Sequence, residues 1–153
     1  MPTDTITLRE LTIRYAAKTD ATGQPILIGR TLHTPQAVAA ALTALLHDES
    51  IEVFAILCLS TKHHVLGYHE VSRGTLDSTL VHPREVFKAA LLANAAAIIL
   101  AHNHPSGDPM PSPDDSVLTT RLRAAGTLLG VEVLDHVVIG DGRYVSFRET
   151  GRW

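Results

Sequence analysis

The segment from residue 95 to residue 116, AAAIILAHNHPSGDPMPSPDDS, constrains the fold more than any other part of the chain. Its apolar first part has the length and composition of a buried strand, and this strand ends at His102. A loop rich in proline and glycine follows, and then Ser112-Pro113-Asp114-Asp115 has the residue order of an N-cap and a first helical turn. We therefore predict a strand, a loop and a helix that runs to about Leu129 and stops at Gly130.

Two histidines stand at the junction between this strand and its loop. His102 and His104 are separated by one residue, and in an extended chain such side chains point the same way. Ser112 and Asp115 follow with the spacing H-x-H-x7-S-x2-D, a pattern that chance produces on the order of 0.001 times in a chain of this composition. If the loop folds back, the Asp115 carboxylate joins the two imidazoles and leaves a fourth tetrahedral position open, as catalytic zinc requires.

Each of these four residues also has an ordinary interpretation. His102 and His104 are typical of hydrogen-bonded loop histidines, and Ser112 and Asp115 are typical of a helix cap. A capping serine can also take part in chemistry, so the two interpretations of Ser112 are compatible. Taken together, the spacing favours a metal site.

Two further helices are predicted upstream of this segment. Thr34-Pro35 has the order of an N-cap and a first helical residue, so a helix is expected from Gln36 to about His47. A second helix is expected to start at His82-Pro83.

Several strands complete the pattern. The run IEVFAILCLS is apolar on both parities apart from Glu52, as in a strand covered on both faces. HHVLGYHEVS follows it after a short turn, and VEVLDHVVIG and RYVSFRE are joined by Asp141-Gly142, so two hairpins are expected. The order of elements predicts an α/β fold of the α+β type, with an antiparallel-rich mixed sheet flanked by helices.

Composition and charge limit the classes of function. The formal net charge of the 153-residue chain is −3, which gives DNA binding no support. Cys58 is the only cysteine, and its apolar surroundings in the sequence predict a small buried hydrophobe. The most apolar stretch, residues 89–101, is shorter than the roughly 20 residues of a membrane-spanning helix, and the charged N-terminus is unlike a signal peptide. We therefore predict a cytoplasmic protein with no membrane association.

Four segments together, YHEVSRGTLDS, VHPREVFKAALLANAAAIIL, HNHPSGDPMPSPDD and LDHVVIG, resemble the RadC group of JAMM/MPN-type metalloproteins. The resemblance covers residues 31–153 and implies a curved, cytidine-deaminase-like mixed sheet with flanking helices and zinc at a strand-to-helix junction. Longer members carry an N-terminal helix-hairpin-helix region of the kind associated with DNA. Residues 1–30 are too few and too strand-like for that region, so we expect a short form with an extended arm or short strands there.

The same resemblance implies a role for each motif residue. By motif position, His102, His104 and Asp115 match the ligands of one zinc ion per chain. Ser112 matches the serine that stabilises the oxyanion, and Glu70 matches the catalytic glutamate.

Two further positions keep alternatives open. Glu70 shares strand parity with Tyr68 and is expected to face the covered side of the sheet, where a carboxylate needs a partner. One interpretation is that the partner is a metal-bound water, which would make Glu70 the general base. The other is a structural glutamate at the end of the strand that is turned to solvent or pairs with Arg73. His136, beside Asp135 in a strand, is either an outer partner of the zinc site or a structural histidine, and the residues alone favour the structural role.

The resemblance implies a zinc metallopeptidase or isopeptidase that cleaves an amide bond in a protein or peptide substrate. One alternative is a RadC-like accessory protein of DNA repair or mobile elements, with a mainly structural zinc. The net charge and the expected short form count against this alternative. Another alternative is a catalytically silent interaction domain, against which the intact ligand set argues.

Overall fold

A computed structural model describes residues 5–74 and 81–153 of the chain. Residues 1–4 of the predicted arm and the TLDS residues of the resembling segments lie outside this described part. The elements follow one another in the order α1 (Pro35–Leu46), β1 (Val53–Leu59), β2 (Val65–Arg73), α2 (Pro83–Leu92), β3 (Ala97–Asn103), α3 (Pro113–Leu129), β4 (Glu132–Ile139) and β5 (Tyr144–Ser146).

The strands form one mixed sheet in the order β2-β1-β3-β4-β5. Strand β1 is antiparallel to both β2 and β3, and β4 is antiparallel to β5. Strands β3 and β4 are parallel, because α3 carries the chain back across the sheet between them. This architecture confirms the predicted α+β class and is consistent with a JAB/MPN-type domain.

Both faces of the central strands are covered, as the apolar runs predicted. One face packs against α1 through residues such as Leu42, Leu46, Ala55 and Leu57. The other face packs against α2 and α3 through residues that include Phe54, Ile56, Phe87, Leu100 and Leu122. Since side chains alternate along a strand, successive residues of β1 and β3 belong to different faces.

The ends of α3 follow the predicted signals. Ser112 and Asp115 form a capping box at its N-terminus, and Gly130, with a φ of 73°, ends it in the left-handed conformation. Helix α1 begins at Pro35 and is capped by Thr34, as predicted, and it ends at Leu46. The final hairpin is shorter than expected, because β5 ends at Ser146 and a turn follows.

Residues 5–30 contain neither helix nor strand. They contain one isolated bridge, between Thr19 and Pro25. The division at residue 30 into an arm and a domain stays a prediction. Within the described ranges, no helix is long and apolar enough to cross a membrane.

Candidate metal centre

Three side chains that can bind a metal converge at the carboxyl end of β3. His102 is the second-last residue of that strand, His104 follows the strand, and Asp115 lies in the first turn of α3. His102 Nε2 lies 3.0 Å from His104 Nε2 and 3.4 Å from Asp115 Oδ1, and His104 Nε2 lies 3.6 Å from Asp115 Oδ2. The three predicted ligands therefore form one cluster that can hold a metal ion.

The atoms that face one another in this cluster are close enough to share one ion. The two Nε2 atoms lie 3.0 Å apart, and each faces a different oxygen of the Asp115 carboxylate, at 3.4 Å from His102 and at 3.6 Å from His104. Atoms bound to one tetrahedral zinc ion lie about 3.3 to 3.6 Å apart. The three side chains could therefore bind one metal ion together.

The ring nitrogens of the two histidines favour the same conclusion. His104 Nδ1 lies 2.7 Å from the backbone carbonyl of Asp108, which only accepts, so the neutral ring carries its proton on Nδ1. His102 Nδ1 lies 2.8 Å from His136 Nε2 and has its own partner there. The Nε2 atoms of His102 and His104 therefore face each other, and a cation or a proton is needed between their lone pairs.

Electrostatics around Asp115 suit a cation-binding carboxylate. Burial of Asp115 disfavours its charged form, but the nearby imidazoles of His102 and His104 outweigh burial and lower the pKa of Asp115. Conversely, the nearby Asp115 carboxylate raises the pKa of His104 above its usual value. In the absence of metal, the site therefore tends to bind a proton.

The capping box orients Asp115 and leaves Ser112 facing solvent. The backbone N–H of Ser112 donates to Asp115 Oδ2 at 2.7 Å, and the backbone N–H of Asp115 donates to Ser112 Oγ at 3.1 Å. Ser112 is exposed, and its hydroxyl proton is not used by the cap. Ser112 therefore combines a structural role with a donor beside the metal ligands.

The side chain of His136 reaches this cluster, whereas the carboxylate of Asp135 contacts only the backbone of His136. His136 is fully buried on β4, and burial lowers its pKa well below the usual value. Its Nε2 contacts His102, so it lies where a partner that orients a zinc ligand would lie. Asp135 accepts hydrogen bonds from the His136 backbone N–H, the Ser146 hydroxyl and the Arg148 backbone N–H, and it holds the turn after β5.

Glu70 lies on the opposite face of the sheet from the ligands. Glu70 is opposite Ala55 in β1, and Ala55 is opposite Ala101 in β3. His102 is opposite Phe54, the neighbour of Ala55. Because directly paired residues share a face, Glu70 belongs to the face covered by α1, and His102 to the face covered by α2 and α3.

Of the two partners that the sequence left open for Glu70, the structure has Arg73. Arg73 Nε and Nη2 each donate to a Glu70 oxygen at 2.7 Å, and Arg73 also binds Glu49. Glu70 lies on a covered face of the sheet, as its strand parity predicted, but this is the face that packs against α1. The structure therefore does not bring Glu70 to the metal cluster.

A different glutamate stands at the site. Glu52 immediately precedes β1, and extending the register from the Phe54–His102 pair by two residues places it opposite His104. Its charge contributes to the raised pKa of His104, although less than that of Asp115. The sequence marks Glu52 only as the exception in an apolar run, and its relation to His104 depends on the pairing of β1 with β3.

Asn103, between the two histidines, fixes the backbone around Glu52. Its Oδ1 accepts the Val53 N–H at 2.7 Å, and its Nδ2 donates to the Ile51 carbonyl at 3.0 Å. Asn103 is itself buried. Direct hydrogen bonds from Asn103 therefore hold the backbone on both sides of Glu52 against the end of β3.

An open cleft of about 760 Å³ gives access to the cluster. Its walls come from the start of β1, the end of β2, the loop after β3 and the start of α3. The cleft is lined by Ile51, Glu52, Gly74, His104, Pro105, Ser106, Ser112, Asp114 and Asp115.

A mixed sheet with two histidines and a carboxylate at a strand-to-helix junction is consistent with a JAB/MPN-type domain. The family model described as the RadC-like JAB domain matches residues 32–152, and the chain belongs to this family. Among its relatives, a UPF0758 protein of Desulfitobacterium hafniense is 50% identical over 125 residues, which are 82% of this chain and 55% of the relative. A UPF0758 protein of Symbiobacterium thermophilum is 52% identical over 120 residues, 78% of this chain and 51% of the relative.

A UPF0758 protein of Methanosarcina acetivorans is 47% identical over 122 residues, 80% of this chain and 53% of the relative. The chain thus spans about half the length of the curated relatives that it matches. Membership of the family confirms the resemblance expected from the sequence motifs.

Proposed function

We propose that this domain is a zinc-dependent hydrolase of the JAMM type, a metallopeptidase or isopeptidase that cleaves an amide bond with water. The observation that carries the proposal is the convergence of His102, His104 and Asp115 beside an open cleft. A site for structural zinc normally fills all four corners with protein ligands, whereas a catalytic site keeps one open.

The proposed metal is zinc. Two imidazoles and one carboxylate are ligands of catalytic zinc in other hydrolases. When bound, zinc acts as a Lewis acid that lowers the pKa of water and stabilises negative charge on oxygen. His102, His104 and Asp115 would hold it.

Glu52 replaces Glu70 as the proposed general base. Glu52 lines the cleft beside His104, while the Glu70 oxygens accept from Arg73 on the other face of the sheet. A carboxylate in this position takes a proton from the attacking water and passes it to the leaving amine. The hydrogen bonds of Asn103 on both sides of Glu52 keep the base in place.

Ser112 is the proposed donor to the oxyanion. Its exposed hydroxyl lies in the cleft next to Asp115. Donors of this kind contribute about 10²- to 10³-fold in turnover where one has been removed. The cap keeps the hydroxyl oxygen in a fixed place and leaves its proton for the substrate.

The proposed substrate is a peptide or a protein, because the cleft is open and an amide fits the chemistry of the residues around it. The alternative of a DNA-associated accessory protein gains nothing from the net charge of −3.

The test is a cleavage screen with peptide and isopeptide libraries and the zinc-loaded protein. Cleavage should require zinc and should disappear in Glu52→Gln at unchanged zinc content. The matched control is Glu70→Gln, which should cleave like the wild type. Cleavage that survives removal of zinc, or zinc-loaded protein inactive on every amide class, would contradict the proposal.

A further inference from the structure

Thr119 and His136 connect two of the metal ligands behind the site. Thr119 lies one turn after Asp115 in α3, and its hydroxyl donates to the Asp115 carbonyl at 2.7 Å. The same hydroxyl oxygen lies 2.6 Å from His136 Nδ1. His136 Nε2 in turn lies 2.8 Å from His102 Nδ1. All four residues are buried.

We propose that Thr119 and His136 form a directional hydrogen-bond chain that holds His102 in the tautomer able to bind the metal. The inference rests on the proposed metal site and not on the proposed hydrolysis. It makes Thr119 and His136 positioning residues, since each acts through His102.

The direction follows from the donors and acceptors along the chain. The hydroxyl of Thr119 donates to the Asp115 carbonyl, so its oxygen is left to accept the proton on His136 Nδ1. A neutral imidazole protonated at Nδ1 presents a lone pair at Nε2, and this lone pair accepts the proton on His102 Nδ1. His102 Nε2 then carries a lone pair toward His104 and Asp115, where the metal binds.

If the hydrogen bonds ran in the opposite direction, His102 Nε2 would carry a proton and could not bind the metal. A proton on His102 Nε2 would turn lone pairs of His102 and His136 toward each other at 2.8 Å unless His136 also changed tautomer. That change would require the Thr119 hydroxyl to leave the Asp115 carbonyl. The direction set at Thr119 therefore determines which nitrogen of His102 is free.

The surroundings of His136 favour a neutral, fixed ring. The imidazole is fully buried and stacks on Phe147, with ring centroids 4.7 Å apart. Phe54 meets it edge-on at 5.6 Å. Such a ring resists protonation and rotation. The contact with Thr119 therefore fixes the tautomer of His136, and His136 Nε2 accepts the proton on His102 Nδ1.

The variant Thr119→Val keeps the shape of the side chain and removes the hydroxyl. Its zinc dissociation constant, measured by chelator competition, should rise 10- to 100-fold, the usual effect of losing a group that orients a ligand. Thr119→Ser should restore wild-type affinity. The matched control is Thr120→Val, because the Thr120 hydroxyl also donates to a carbonyl four residues earlier but is exposed. That control should stay within about twofold of the wild type.

A second variant and a spectrum test the chain independently. His136→Phe keeps a ring stacked on Phe147 and should also weaken zinc binding 10- to 100-fold. Long-range ¹H–¹⁵N spectra of the zinc-loaded wild type should show His102 and His136 both protonated at Nδ1. This spectrum requires no folded variant.

Two results would overturn the inference. One is an equal zinc affinity in Thr119→Val and Thr120→Val, and the other is a proton on His136 Nε2 in the zinc-loaded wild type. If the zinc affinities and the spectrum are as expected but no amide is cleaved, the proposed hydrolysis fails and this inference stands.

Discussion

The ionisable groups on the two faces of the sheet differ in burial and in their partners. On the α1 face, Arg73 binds Glu49 and Glu70, and the Arg73 side chain is 43% exposed. On the face of α2 and α3, His102 is fully buried and Asp115 nearly so. The charges of the Arg73 network are already paired at the surface, where ion pairs contribute little to stability. The imidazoles and the carboxylate on the other face are buried, and a metal ion could act as their shared partner.

Two glutamates illustrate this difference between the faces. Glu52 and Glu70 lie on neighbouring strands or their ends, yet the register assigns them to opposite faces. Glu70 has the bidentate pair with Arg73, whereas Glu52 lines the cleft beside the ligands. The strand face on which a carboxylate lies therefore decides whether it can act as a base.

Removal of a ligand on the metal face should have the largest effect. His104→Ala or Asp115→Ala should reduce zinc content from close to one ion per chain to nearly none, because two remaining ligands hold zinc poorly. Arg73→Ala, on the other face, should keep its zinc. Elemental analysis of protein purified without chelator measures this. Full zinc content in the double variant His104→Ala/Asp115→Ala would exclude the assigned ligands.

The next largest effect should separate the two glutamates. Glu52→Gln should lower turnover by 10²-fold or more, since glutamine keeps the shape but cannot accept the proton of water. The loss should fall on kcat more than on KM, because it concerns the transition state. Glu70→Gln should leave both unchanged. Single-turnover cleavage and zinc content are measured on each variant, and a slow Glu70→Gln enzyme with an unaffected Glu52→Gln enzyme would return the base to Glu70.

Much of the fold and the convergence of His102, His104 and Asp115 could be predicted from local sequence. The strand before His102 and the cap at Ser112 depend on residues close together in the chain, so the predicted junction between strand and helix agrees with the structure. The spacing to Asp115 was long but lay within one strand-loop-helix unit. Such a unit leaves few ways for the chain to return to the strand end.

The glutamate could not be assigned in that way. Whether Glu52 or Glu70 faces His104 depends on how β1 pairs with β2 and β3, and a shift of one residue changes the face. The register of β1 and β2 also contains irregularities between Phe54 and Ala55, which strand parity cannot anticipate. Thr119 was missed for a similar reason, because its contact with His136 joins α3 to β4 across 17 residues.

Changes at Ser112 should separate a structural from a catalytic effect. Both Ser112→Ala and Ser112→Gly remove the hydroxyl and should slow turnover about 10²- to 10³-fold with zinc retained. As a cap, alanine should cost about 1 kcal/mol in the free energy of unfolding, and glycine only a few tenths. Denaturant unfolding and turnover are compared for the two variants. If turnover falls in Ser112→Ala but not in Ser112→Gly, it depends on stability and not on the hydroxyl, and Ser112 is only a helix cap.

The smallest expected effect is on the pH dependence of the free energy of unfolding, to which the two faces contribute with opposite sign. Arg73 lowers the pKa of Glu49, so the α1 face loses stability only as the pH falls through the range in which Glu49 is protonated. In the metal-free protein, Asp115 raises the pKa of His104. That contribution is complete below the ordinary histidine pKa of about 6.5 and is lost as the pH rises through the raised value.

The window between pH 6.5 and pH 8 isolates this contribution of His104. Burial lowers the pKa of His136, so His136 costs stability only below about pH 6.5. Burial raises the pKa of the Cys58 thiol to about 11, so its contribution declines only at a pH above this window.

Urea unfolding of the metal-free protein should therefore show stability falling from pH 6.5 to pH 8, and Asp115→Asn should abolish the slope. With zinc bound, the trend should reverse, because protons compete with the metal for the imidazoles as the pH falls. A metal-free protein whose stability rises across this window would show that Asp115 does not hold a proton on His104.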